Sequence, residues 1–241
     1  MSDSPTLAFF RPDDERAEEA TRLLASLGAD PLSDPMLEVQ ATGKQPRDDA
    51  DYTILTSKTG VDLLDNSVVL GGELCAIGET TAELLAEAGY DVGIVPETYT
   101  SSGLVERLED EVDGARVEIA RSDHGSPVLL DGLEAAGAYI HETILYRLVR
   151  PEGSGISTER AAAGRLDGVL FSSSLTVEHF IEAADERGIR DDALAGLDDA
   201  VVGVIGAPTK ATAEAFGIEV DVVPDDADFE QLARAVLDEL E

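Results

Sequence analysis

The sequence repeats itself in register. Ile77-Gly78, Thr81, Gly89, Val92, Val95 and Pro96 return as Ile205-Gly206, Thr209, Gly217, Val220, Val223 and Pro224, all at a constant offset of 128 residues. The surroundings match too: CAIGETTAELLAEAGYDVGIVPE against VGVIGAPTKATAEAFGIEVDVVPD. A second echo lies upstream of each copy, LTSKTGVDLL at 55–64 against FSSSLTVEHF at 171–180, at an offset of 116. The offsets differ by 12, so the second copy carries a longer segment between its two motifs. Two copies of about a hundred residues are too few for a solenoid and mean paired domains built on one plan.

Each copy uses the same local units. Residues 52–56 (YTILT) and 168–172 (GVLFS) are apolar runs without alternation, the pattern of buried parallel strands. A small polar cluster follows each, then a helical pattern. Strands at 74–77 and 201–205 end in glycine and lead into helices at 79–89 and 207–217. Gly89 and Gly217 stand where a helix needs a C-terminal glycine. Strands at 92–95 and 219–223 follow, each stopped by proline. Strand alternating with helix predicts an α/β fold with two similar flavodoxin-like parallel sheets.

The chain order predicts that one domain is discontinuous. TLAFF at 6–10 and a helix at 14–27 have no complete domain beside them, and they echo ARVEIA at 115–120 with a helix at 126–137. LASLGADPLSDPMLEV at 24–39 aligns with LEAAGAYIHETILYRL at 133–148. Residues 1–35 and 152–241 are therefore expected to complete one five-stranded domain, and 42–142 the other. The segments 36–41 and 143–151 would form a two-strand linker, its extended parts 36–40 and 144–149, with Pro151-Glu152-Gly153-Ser154-Gly155 as a flexible exit.

Composition narrows the partners. At 241 residues the chain can bury two cores. It carries 17 basic against 51 acidic residues, a net charge of −34, and its only lysines are Lys44, Lys58 and Lys210. Nucleic acid and anionic membrane both need clustered cations, so neither is expected as a partner. The acids are spread over helix faces (Glu83, Glu87, Glu106, Glu109, Asp110, Glu111), which suits the cytoplasm of a salt-loving organism. No long apolar run and no signal-peptide pattern stands in the sequence, so a cytoplasmic location is expected. Cys75 reads as a core thiol.

Chemistry has to come from the repeated motifs, and taken in order they resemble one family. IGETTA (77–82) and IGAPTKA (205–211) are similar to the paired I-G-x-x-T turns of uroporphyrinogen-III synthases. So are LTSKTGV (55–61), FSSSLTV (171–177), VPETYTSSGL (95–104), the opening FFRP with LASLGA, and ARSDHG (120–125). ILYRLVRP (144–151) resembles the family's linker with its tyrosine. The resemblance implies a cofactor-free, monomeric lyase. Its substrate would be hydroxymethylbilane, closed to uroporphyrinogen III with loss of water and inversion of the last pyrrole, on the route to haem, sirohaem and corrinoids. Uncatalysed closure gives the uninverted isomer, so such an enzyme works chiefly by orientation.

The residues suit that role for physical reasons. Ligands of open α/β sheets bind outside the carboxyl ends of the strands. Those ends carry Ser57, Gly78 and Thr98 in one copy, and Ser172, Gly206 and Asp225 in the other, expected to face a shared cleft. Helices beginning after Gly78 and Gly206 offer free N–H groups to carboxylates, and Thr81 and Thr209 add hydroxyls in the first turn. Ser101, Ser102 and Gly103 open another helix after the VPETYT loop, whose last residue Thr100 is a further candidate contact, as is Ser173 beside Ser172. The bland reading of these Ser and Thr is that they only cap helices. Arg11, Arg121 and Lys58 are the cations placed to meet carboxylates, or else to sit in surface ion pairs. Tyr146, matching the family's tyrosine, is the candidate to protonate the departing hydroxyl or order a water that does so. Its alternative role is structural, bridging two domains.

The sequence departs from the family pattern at Lys210, where a small residue is usual, and at 225–230 (DDADFE), where a Thr/Ser-rich loop is usual. His124, His141 and His179 show no metal-ligand spacing. Two readings of other classes are a two-lobed anion-binding protein without turnover and a regulator's sensor module. The missing export signal speaks against the first, and the lack of a basic face against the second.

Overall fold

The computed structural model describes residues 4–240. The chain opens with β1 (Thr6–Phe9), α1 (Glu15–Ser26) and β2 (Asp30–Ser33), followed by β3 (Glu38–Ala41). It continues through β4 (Tyr52–Leu55), α2 (Lys58–Asp62), β5 (Glu73–Ala76), α3 (Glu79–Glu87), α4 (Ser101–Leu108), β6 (Arg116–Ser122), α5 (Pro127–Ala135) and β7 (Tyr139–Val149). It ends with α6 (Ile156–Ala162), β8 (Gly168–Phe171), α7 (Ser174–Glu186), α8 (Arg190–Leu197), β9 (Val201–Val204), α9 (Ala207–Ala215) and α10 (Phe229–Glu239). The chain divides into two compact units, Met1–Glu38 with Val149–Glu241, and Val39–Leu148.

The first unit has strand order β2-β1-β8-β9, all pairs parallel. The second has order β3-β7-β6-β4-β5. Without β3 these are one sheet entered at different strands: β1 corresponds to β6, β2 to the start of β7, β8 to β4 and β9 to β5. Each sheet carries apolar helices on both faces. In the first unit, Phe10, Phe171 and Phe180 sit at the centre of one core, and Leu7, Phe9, Phe229 and Val236 in the other. In the second, Ile54, Ile119, Leu104 and Leu129 fill one face, and Leu55, Leu85, Leu145 and Tyr146 the other.

The expected strands at 92–95 and 219–223 are reduced to single bridges, Cys75 to Ile94 and Gly203 to Val222. The reason is the same in both copies. The N–H groups of Gly93 and Ile94 both donate to the Leu74 carbonyl, and those of Asp221 and Val222 both donate to Val202. Two successive donors on one acceptor break the ladder, and Pro96 and Pro224 cannot donate further on. The first unit therefore has four strands rather than five. The two extended segments of the expected linker take part in the second sheet: residues 139–149 form one continuous strand of 11 residues, and β3 hydrogen-bonds to it as the outer strand. The extra residues between the motifs of the second copy go into a longer α7 and into α8.

The first unit is assembled from two distant stretches of chain, and a buried carboxylate joins them. Asp34, only 2% exposed, accepts from Gly155 N (2.9 Å), Ser157 N (2.8 Å) and Ser157 Oγ (2.5 Å), satisfying the free donors at the start of α6. His179 Nδ1 donates to the Met36 carbonyl at 2.5 Å, and Arg187 Nη2 to that of Ser154 at 2.6 Å.

Candidate functional site

The carboxyl ends of β4, β6 and β7 enclose a pocket of about 180 Å³, lined by Thr56, Ser57, Ile77, Ser101, Arg121, Ser122, Gly125, Ser126, Leu129 and Tyr146. It sits at the switch point of the second sheet, where chain order reverses between β6 and β4. A register shift helps to build it. Along β6 and β7 the pairing runs from Arg116 opposite Tyr139 to Arg121 opposite Ile144, then skips one residue so that Ser122 faces Tyr146. Such irregularities at a strand end re-aim side chains. Tyr146 Oη donates to Ser57 Oγ at 3.0 Å, and Ser57 Oγ also accepts from Gly60 N at 3.0 Å as the N-cap of α2. With both acceptor positions of its oxygen used, the Ser57 hydroxyl keeps its own proton to donate. Six hydroxyls and one guanidinium thus line this space.

Among the expected residues, Ser57, Ser101, Arg121 and Tyr146 meet in this pocket. Arg121 is already held in part, its Nε donating to Glu142 Oε1 at 2.5 Å and its Nη1 to the Ser126 carbonyl at 2.6 Å, which leaves Nη2 as its open donor among the described residues. Its burial demands such a partner. Thr100 caps α4, accepting from Gly103 N at 3.1 Å, while Ser102 is exposed in the first turn. Lys58 is exposed at the start of α2 and has no carboxylate within ion-pair distance among the described residues. Gly78 precedes α3 without any side-chain cap, and the Tyr99 ring lies across it, so close that a Cβ at Gly78 would stand 3.1 Å from Tyr99 Cγ. Thr81 is buried in the first turn at 5% exposure.

The first unit shows the same plan with different covering. Arg11 follows β1, its guanidinium 4.2 Å from the Phe229 ring centroid, and burial lowers its pKa from the ordinary arginine value. Its Nε is buried without a partner among the described residues. Ser173 caps α7, accepting from Thr176 N at 3.3 Å, with Ser172 half-buried beside it. Gly206 precedes α9 uncapped, and here only Pro208 Cδ, at 4.0 Å, approaches the position of a Cβ. Thr209 is buried at 3% exposure. The DDADF stretch serves the helix that follows it. Asp228 caps α10 by accepting from Gln231 N at 3.0 Å, and Asp226 accepts from the Gln231 amide. Lys210 pairs with Glu214 one turn on.

Of the histidines, His124 donates to Asp123 and His141 to Glu118, while His179 binds a backbone carbonyl. No group of three or more His, Cys, Asp or Glu is placed to hold a metal ion among the described residues. Burial pushes the Cys75 thiol up to about 12, as for a core residue. Thr56, Ser122, Ser126 and Glu142 join the site without having been expected there. Ser122 and Ser126 have a sequence signal, since they lie within and just after the ARSDHG motif. Glu142 carries no local signal, because its partner is 21 residues away on a neighbouring strand.

Duplicated flavodoxin-like parallel sheets, with hydroxyls and helix starts at the carboxyl ends of their strands, define a class of two-unit α/β protein. A family model described as uroporphyrinogen-III synthase HemD matches residues 18–234. A candidate uroporphyrinogen-III synthase of Methanothermobacter thermautotrophicus is 32% identical over 230 residues, covering 88% of this chain and 90% of the relative. The uroporphyrinogen-III synthase of Synechococcus elongatus is 25% identical over 234 residues, covering 88% and 87%. In fold, the chain is similar to a mutant uroporphyrinogen III synthase of Thermus thermophilus, with TM-score 0.65, 18% identity and 98% of each chain covered. The chain belongs to the uroporphyrinogen-III synthase family.

Proposed function

We propose that the protein closes hydroxymethylbilane to uroporphyrinogen III, removing the terminal hydroxyl as water and inverting the last pyrrole. The observation that carries this reading is the 180 Å³ pocket in which Tyr146 and Ser57 share a hydrogen bond beside Arg121. The reaction needs a proton for the departing hydroxyl and a fixed arrangement of a flexible chain. A hydroxyl pair supplies the first, and the serines, helix starts and cations at the strand ends supply contacts for the second. Ser172, Ser173, Gly206, Thr209 and Arg11 in the first unit, and Lys58, Gly78, Thr81, Thr100, Ser101 and Ser102 in the second, are proposed to contact the acetate and propionate arms. Uncapped helix starts bind carboxylates through backbone N–H groups, which spares the site an array of lysines. The enzyme is proposed to work as a cytoplasmic monomer without a cofactor. The test is to incubate it with freshly made hydroxymethylbilane and separate the oxidised products by isomer. Isomer III is expected; an unchanged background of isomer I overturns the enzyme reading in favour of a binding protein.

Charge sets the conditions for this chemistry. A protein at −34 repels a substrate bearing carboxylates on every ring, and its own acids repel one another. The screening length falls from about 10 Å at 0.1 M salt to about 3 Å at 1 M. Distant acids then cease to act while donors in contact with the ligand still do. Thermal midpoint and substrate affinity are therefore expected to rise together from 0.1 M toward molar potassium chloride. A Michaelis constant that climbs steadily with salt, on a protein already folded at 0.1 M, would defeat this account.

A further inference from the structure

From the contacts of Arg121 we infer that Glu142, a residue of β7 outside the pocket lining, is a positioning residue that aims this arginine at one carboxylate arm of the substrate. This rests on the proposed cyclisation. Arg121 is 7% exposed and held on three sides. Glu142 Oε1 takes its Nε at 2.5 Å, the Ser126 carbonyl takes its Nη1 at 2.6 Å, and the Gly125 backbone lies against it. A Cβ on Gly125 would fall 2.6 Å from both Cδ and Nη1, so a side chain at this loop position would displace the guanidinium from where it is held. Nη2 is left without a protein partner among the described residues, on a residue that lines the pocket beside Ser57 and Tyr146. A guanidinium so fixed presents its remaining donors in one direction, the geometry suited to a carboxylate.

Glu142 itself is partly exposed, its side chain at 32% against 8% for that of Arg121. Its attraction for the guanidinium is therefore weakened by solvent, and an incoming carboxylate can compete for the cation's field. The sheet makes the pairing possible. Ile119 of β6 stands opposite Glu142 of β7, so Arg121, two residues beyond Ile119, projects on the face that Glu142 shares. The register shift follows immediately after Arg121 and leaves this pair in phase while it brings Tyr146 opposite Ser122. One strand pair thus sets both a cation for an arm and a hydroxyl for the leaving group.

Three variants separate positioning from a purely structural role, each read by kcat, KM and the share of isomer III. Glu142→Ala is expected to raise KM about tenfold with kcat within about threefold, the pattern of a lost ground-state contact. Glu142→Gln keeps an acceptor for Nε and is expected to hold KM within about threefold of wild type. Because Glu142→Ala strands a buried cation and can fail to fold, the third variant is Arg121→Met with Glu142→Leu, an apolar replacement of the pair that such sites tolerate. It is expected to fold, with KM raised as in Glu142→Ala. Wild-type KM in the folded double variant overturns the inference, as does a Glu142→Ala protein that loses only thermal midpoint. Absence of isomer III from the wild-type protein would instead remove the cyclisation reading.

Discussion

Asp34→Ala is expected to cost the first unit roughly 3–5 kcal/mol, the net of three orphaned donors and one relieved buried charge and a large share of the stability of an ordinary domain. The carboxylate accepts three hydrogen bonds from Gly155 N, Ser157 N and Ser157 Oγ, and both Asp34 and Ser157 are buried. Each donor left unpaired in the interior costs about 1–3 kcal/mol, partly offset because a charge no longer has to be buried. The contact also joins the amino-terminal stretch to the returning chain across 123 residues of sequence, so its loss falls on long-range closure of the unit. Asp34→Asn should cost less, keeping one acceptor oxygen while turning an amide N–H₂ toward a donor. Adding Ser157→Ala to Asp34→Ala should recover part of the loss, since one orphaned hydroxyl disappears. Urea unfolding followed by circular dichroism measures the series. A shift below about 1 kcal/mol for Asp34→Ala would show that water satisfies these donors.

The fold is legible in the sequence where the repeat is local. Gly78 and Gly206 before a helix, and Gly89 and Gly217 after it, are turn chemistry that a few neighbouring residues determine. All four stand where the repeat places them, Gly89 and Gly217 at φ 91° and 84°. The same logic makes Ser57, Thr100 and Ser173 recognisable: N-caps have a sequence address. The segments at 92–95 and 219–223 differ because apolar content is a poor guide to strand pairing there. What decides the outcome is the sharing of one carbonyl by two N–H groups, which the residue types do not encode. The same limit hides Glu142 and Asp34. A charge pair across neighbouring strands depends on register, and the register here is shifted by one residue beside the site itself. Arg121 is therefore legible in its place and not in its full role. Sequence puts the cation at the strand end, and only the paired strand shows that a carboxylate already holds it.

Tyr146→Phe is expected to fold normally and to lower turnover by roughly 10- to 100-fold, at or below the usual range for positioned proton transfer. The ring is 6% exposed and packs with Leu55, Ala120 and Leu145, so its apolar contacts survive the change. What is lost is the hydroxyl that donates to Ser57 Oγ at 3.0 Å. Ser57 keeps its bond from Gly60 N, and the N-cap of α2 remains. In the proposed reaction the Tyr146 hydroxyl supplies or relays a proton as the terminal hydroxyl leaves, an interaction made in the transition state. Its removal should therefore lower kcat and kcat/KM together, in contrast to the KM effect expected of Glu142→Ala. The loss corresponds to roughly 1.4–2.7 kcal/mol of barrier, a small part of the whole, because orientation of the chain carries most of the rate. Ser57→Ala provides the control. It removes a helix cap worth about 1 kcal/mol and so lowers the thermal midpoint, which Tyr146→Phe should leave nearly unchanged. Activity of Tyr146→Phe within about twofold of wild type would assign this tyrosine to packing, and the proton would then have to come from Ser57 or from water.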